Sequence, residues 1–237
     1  MNLVGFASLR GAPGVTTTAL LVAGSLNGPV GLVEADLSGG TLAVRYGLGR
    51  EPGLTTFAAS RAVDPGQWRY HAQDAGGVPV LVGPDSPQSA SAMWHRAGAA
   101  VGRELIAADA TFVVDIGRVS EVVPLAEHLE LLVLLVRPAA EHLVTLSHRL
   151  PVLRQMTRQV AVVLVGEGDY RPPDVAVPLG VDVLGVLPHD ARTAGAMAGD
   201  GRATQLARSP LVRSATAVAA AVAATITTPE PPMVVMP

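Results

Sequence analysis

The stretch RGAPGVTT, residues 10–17, sets two glycines and two hydroxyl side chains at the spacing of a turn that holds phosphate. In such a turn backbone N–H groups converge on the anion, and the N-terminus of the following helix adds partial positive charge. The full pattern is G-x-x-x-x-G-K-[ST], in which the lysine reaches the β- and γ-phosphates and the next hydroxyl ligates magnesium. Gly14 and Thr16 fit it, whereas Leu9 stands for the first glycine and Val15 for the lysine. The same residues also suit an ordinary strand-to-helix turn. A carboxylate that closes an apolar run, Asp115 after TFVV, is of the kind that holds a metal's hydration shell beside phosphate. A carboxylate that merely caps a strand end is the plainer alternative.

Composition limits what can replace the lysine. All 17 basic residues are arginine, so no lysine elsewhere stands in for the one missing at Val15, and Schiff-base chemistry is excluded. Without cysteine the chain has neither a disulfide framework nor a thiolate metal site, which fits a cytoplasmic protein. A net charge of −3 gives no global basic field for nucleic acid or anionic lipid. Hydrophobic residues at 49% against 16% charged are the opposite of a disordered composition. The opening MNLVGFASLRG lacks the basic start and apolar core of a secretion signal, and no uninterrupted apolar run approaches the roughly 18–20 residues of a membrane span. No transmembrane segment is therefore expected.

Short apolar runs predict strands over 3–7, 30–34, 78–82, 111–115, 131–136, 160–165 and 183–186. Between and after them, helical patterns cover about 16–26, 89–107, 121–128, 140–156, 191–198 and 211–226. The strands read as continuous apolar stretches, which predicts a doubly wound α/β fold: a mostly parallel sheet with helices on both faces. A single domain is expected over 1–226. The tail at 227–237, with four prolines in eleven residues, is expected to be disordered.

Taken in order, these segments resemble the ParA/MinD group of P-loop ATPases. RGAPGVTT is similar to that group's deviant phosphate loop, K-G-G-x-G-K-T-T, with Arg10 at the first lysine, which in the family reaches across a dimer to the partner's nucleotide. GLVEADLSGGTLAVRYGLGREPGLTTF resembles the group's strand, D-x-D, variable loop and EPGL, most of all in the bacterial tyrosine kinases of the same superfamily. Glu34 replaces the first aspartate of D-x-D, and Asp36 matches the second, which the resemblance places near the γ-phosphate, magnesium and attacking water. Ser38 departs from the arginine that those kinases carry. The strand ending at Asp115 resembles the one whose aspartate polarises magnesium through water. In VLPHDARTAG, Pro188 and Asp190 match the segment that lines the base, while Val165 or Gly166 stands where relatives carry an adenine-reading asparagine.

The resemblance implies ATP or ADP with magnesium as ligands. It assigns Arg10, Gly11, Gly14, Val15, Thr16, Thr17 and Pro188 to the nucleotide, Thr16, Asp36 and Asp115 to the metal, and Asp36 with Arg10 to catalysis if hydrolysis persists. Phosphoryl transfer depends on positioning and charge stabilisation, so the lost lysine implies a degenerate member with weakened or lost nucleotide binding and little hydrolysis. It further implies a homodimer with a protein partner in a division-site, pilus or secretion system, as in the pilus-localisation branch (TadZ/CpaE-like). Recruitment to a pole, septum or membrane-bound complex would then run through that partner. An active ATPase driving a positional or partitioning cycle is one alternative. Another is a DNA-binding scaffold, because RPAAEHLVTLSHRLPVLRQMTRQ carries Arg137, Arg149, Arg154 and Arg158 against a single acid, Glu141. The solvated side of an amphipathic helix accounts for the same row. After Arg213 no basic residue follows, which is the wrong chemistry for a MinD-type membrane anchor.

Overall fold

The structure, a computed structural model, describes residues 2–11, 14–60, 64–119, 123–197 and 209–227. Its strands are β1 (Leu3–Ser8), β2 (Val30–Glu34), β3 (Gln73–Asp74), β4 (Pro79–Leu81), β5 (Thr111–Arg118), β6 (Leu131–Val136), β7 (Val160–Val165) and β8 (Asp182–Leu187). They form one sheet in the order β3-β4-β2-β5-β1-β6-β7-β8, in which only β3 runs antiparallel to its neighbour.

The helices are α1 (Val15–Ala23), α2 (Leu42–Tyr46), α3 (Leu54–Ala59), α4 (Pro87–Ala107), α5 (Ala140–Met156), α6 (Pro172–Leu179), α7 (Ala191–Gly195) and α8 (Pro210–Thr227). Side chains of a strand point alternately to its two faces, so a strand covered on both sides must be apolar throughout. Val4 and Phe6 of β1 accordingly join the core under α1, α2 and α8, while Leu3 and Ala7 join the core under α3, α4, α5 and α6. The doubly wound, mostly parallel sheet expected from the sequence is present.

Local chemistry explains where several helices start. Ser86 caps α4 by accepting the Ser89 N–H at 3.2 Å, with Pro87 in the first turn, where no N–H is required. At α6 the Asp174 carboxylate accepts the Arg171 N–H at 2.8 Å. That helix was not anticipated, because PPDVAVP reads as a breaker until Pro172 is seen to occupy the tolerated first position. α2, α3 and β3 are short and were also missed. The helix expected over 121–128 is instead a 3₁₀ turn at Ala126–His128; residues 120–122 lie outside the described residues. α5 runs on through Pro151.

α8 is long and apolar enough to cross a membrane by length and composition. It packs one face against α1 and β8, with Leu211, Ala215, Val218, Ala219 and Val222 buried. The proline-rich tail falls at 228–237, outside the described residues.

Candidate functional site

β1 stands in the middle of the sheet, and the chain leaves its C-terminal end through residues 9–14 to enter α1. Gly14, at the N-cap, has φ 80° and ψ 41°, a left-handed conformation that glycine adopts without steric penalty. The amides that open a helix have no partner within it, and the first turn of α1 carries no acidic side chain to occupy them. An anion therefore suits this end of α1. Gly11 has φ 25°, while Ala12 and Pro13 lie outside the described residues.

Val15 is only 4% exposed and belongs to the apolar cluster of Phe6, Ala19, Leu135 and Val163. It has no donor to offer a phosphate. The Arg10 guanidinium lies against the first turns of α5, with Nη1 donating to the Glu141 carbonyl at 3.4 Å and to Thr145 Oγ1 at 3.5 Å.

Beside the loop, two strands bring acidic groups together. In the register of the sheet Asp115 of β5 pairs with Phe6 of β1 and with Glu34 of β2. Asp115 is 1% exposed; it accepts from the Thr16 hydroxyl, and its Oδ1 accepts the Gly117 N–H at 3.2 Å. Burial pushes its pKa up to about 7, against the pull of Thr16 and with further upward pressure from Glu34 and Asp36. Asp36 Oδ1 accepts the Ser38 N–H at 2.7 Å, which fixes the bend after β2.

Glu34 is buried too. Its Oε1 accepts the amides of Thr41 at 2.6 Å and Leu42 at 2.8 Å, and its Oε2 accepts that of Gly83 at 3.0 Å. Burial still raises its pKa, outweighing these three donors. Glu34 thus ties the loop before α2 and the end of β4 to β2, and is a structural anchor.

On the other side of Gly14 a cleft of about 280 Å³ opens between α1 and the ends of β6, β7 and β8. Gly14, Thr17 and Thr18 form one wall. Val165, Leu187, Pro188 and Leu211 give an apolar face, and Arg137, Glu167, His189 and Asp190 are the polar groups. Asp190 is spoken for: it caps α7, accepting the Thr193 N–H at 2.9 Å and the Thr193 hydroxyl at 2.5 Å, which holds its pKa down.

Of the residues singled out from the sequence, Gly14, Thr17 and Pro188 line this one cleft, and Thr16, Asp36 and Asp115 gather beside it. Arg10 and Val15 point elsewhere. The set fits magnesium only as a companion of phosphate: no group of three or more His, Cys, Asp or Glu among the described residues makes a metal cage. Magnesium characteristically binds through one or two carboxylates plus substrate phosphates. When bound it would neutralise phosphate charge, held by Thr16 and Asp115, with Asp36 beside them. A nucleotide fits the amides and apolar face but finds no lysine.

Two residues here were not assigned to the site from the sequence. Arg137 follows the apolar run LLVLLV, and a charged residue just past a central parallel strand is a signal, since ligands sit at the carboxyl ends of such strands. Gly117 carries no sequence signal beyond its type. The basic row on α5, by contrast, is largely committed within the molecule. Arg154 Nη2 donates to the Leu179 carbonyl at 3.3 Å and to the Gly180 carbonyl. Arg158 pairs with Glu130 at 3.1 Å, and Arg149 also has a partner.

Neither a family model nor a curated protein sequence matches the chain. Solved structures do. The septum site-determining protein MinD of Pyrococcus horikoshii, complexed with Mg-ADP, superposes with a TM-score of 0.74 at 18% identity, over 93% of this chain and 95% of that one. A ParA family ATPase from Chlorobium tepidum gives 0.74 at 18%, over 92% and 97%. The MinD of an Aquifex aeolicus MinC:MinD cell division complex gives 0.72 at 13%, over 98% of each chain. Such identities speak for the fold: this chain has the fold of the ParA/MinD P-loop ATPases.

Proposed function

We propose that the chain is a degenerate ParA/MinD-like ATPase that binds ADP or ATP with magnesium weakly, hydrolyses ATP slowly or not at all, and serves as a spatial organising or regulatory protein. The observation that carries this reading is Val15, an aliphatic side chain packed into the core at the first position of α1, in a chain without lysine. Phosphoryl transfer relies on preorganised positive charge, and removing one such donor costs about 10²–10³ in turnover in the oxyanion sites where it has been measured. The amides at the start of α1, Thr16 and Thr17 still suit an anion, and Pro188 with Val165 and Leu187 suits a flat base. The rest of the proposal is a homodimer that works from the cytoplasm with a protein partner in division-site, pilus or secretion assembly; a MinD of this fold is solved in complex with MinC.

Calorimetric titration with Mg-ADP and Mg-ATP, alongside phosphate-release assays, tests it. Saturable binding is expected, with release at background level and no change on Asp36→Ala. Val15→Lys is expected to tighten Mg-ATP binding. Robust turnover in the unaltered chain that collapses on Asp36→Ala overturns the degenerate reading in favour of a working positional ATPase.

A further inference from the structure

With Val15 buried and Arg10 laid along α5, the phosphate end of the cleft needs another cation, because the nearby carboxylates of Glu34, Asp36 and Asp115 add only negative charge. We infer that Arg137 is the residue that grips the ligand's phosphates in this cleft, taking over the role of the absent lysine from a different strand.

The placement follows from the sheet. β6 lies directly beside β1, and Leu135 of β6 pairs in register with Ser8, the last residue of β1. Arg137, two residues further on, therefore leaves the sheet where the chain of β1 enters the phosphate loop. It lines the same cavity as Gly14, Thr17 and Thr18 and is the one arginine among the described lining residues. A cavity of about 280 Å³ sits just below the roughly 300 Å³ at which small-molecule sites begin, so a guanidinium on one wall lies close to a ligand on the other.

Arg137 is also uncommitted. Its side chain is exposed, and among the described residues its guanidinium makes no hydrogen bond or ion pair. Arg10, the cation the loop itself carries, is engaged on α5. At the start of α5 the pKa of His142 is lowered first by burial, raised by Glu141, and lowered further by Arg137 and Arg10. A guanidinium presents five donors in a planar fork that matches phosphate oxygens, and is charged at every accessible pH.

The inference rests on the nucleotide-binding reading above, and the experiment separates the two. Mg-ADP, Mg-ATP and inorganic triphosphate are titrated into the full chain, Arg137→Ala, Arg137→Lys and Arg96→Ala, at low and at moderate salt. Arg96, on α4 at a distant groove, controls for loss of one charge. The expected result is at least a tenfold weakening of all three ligands in Arg137→Ala, a smaller loss in Arg137→Lys, and less than a twofold change in Arg96→Ala. Salt dependence should be shallower in Arg137→Ala than in the unaltered chain. Unchanged thermal midpoints would accompany these changes, since the side chain is exposed and unpaired. Binding that survives Arg137→Ala within twofold overturns this inference alone. No binding to the unaltered chain overturns the nucleotide reading, and this inference with it.

Discussion

The carboxylate of Asp36 rests on the α-carbon of Gly117: a methyl group built on that glycine would lie 2.0 Å from Asp36 Oδ2. The same glycine has φ 66° and donates its N–H to Asp115 Oδ1. One backbone position in β5 thereby orders both acidic groups on the metal side of the site.

Gly117→Ala should therefore do two things at once. The left-handed backbone alone disfavours any other residue by roughly 1–2 kcal/mol, and the new methyl must push Asp36 aside. Urea unfolding should show a loss of at least that size, and Mg-ADP titration a weaker complex, whereas Asp36→Ala should weaken binding with little loss of stability.

Glu34 receives three amides, and an amide side chain cannot. In Glu34→Gln the NH₂ group must face at least one of the N–H donors of Thr41, Leu42 and Gly83, leaving a buried polar group unsatisfied at a cost of about 1–3 kcal/mol. Hydrogen exchange at those three amides is expected to quicken, while exchange in β6 and β7 should follow only the global loss.

The pH dependence follows from Asp115. Its folded pKa of about 7 lies above the ordinary 3.8, so between these values the native state holds a proton that the unfolded state has released. The contribution of Asp115 to stability is then full below about 4, falls as pH rises to about 7, and is lost beyond. Glu34, also raised, adds to the fall with the same sign. Asp115→Asn, which cannot ionise, should lessen the slope in thermal melts across this window.

Arg154 ends α6 by donating to carbonyls that its last turn leaves free. Arg154→Ala is accordingly expected to lower stability by about 1 kcal/mol. DNA affinity at low salt should stay unchanged, since the guanidinium serves the fold.

The long strands were legible because each is buried on both faces and so appears as an unbroken apolar run: β2, β6 and β7 match their expected limits to the residue. α4, α5 and α8 were legible through length and periodicity. α2, α3 and α6 were not, because they are too short to show a period, and what holds them is distant. Glu34 meets the first amide of α2 from a neighbouring strand, and Arg154 meets the end of α6 from another helix. At the site, the glycine turn and its hydroxyls could be read from spacing. The direction of each side chain could not: Arg137, named from the sequence only as part of a basic row, lines the cleft, and the Arg10 guanidinium lies against α5.

By residue type and order alone, the chain commits itself to a glycine turn between a buried strand and a helix, and to the absence of any lysine that might serve there. Tertiary structure decided which groups meet. Residues 14, 36, 115, 137 and 188 are far apart along the chain and converge only because parallel strands end at one edge of a sheet whose order is not the order of the sequence. That order, set by which apolar faces pack together across both cores, turned Val15 inward, left Arg10 on α5, and put Arg137 beside the turn.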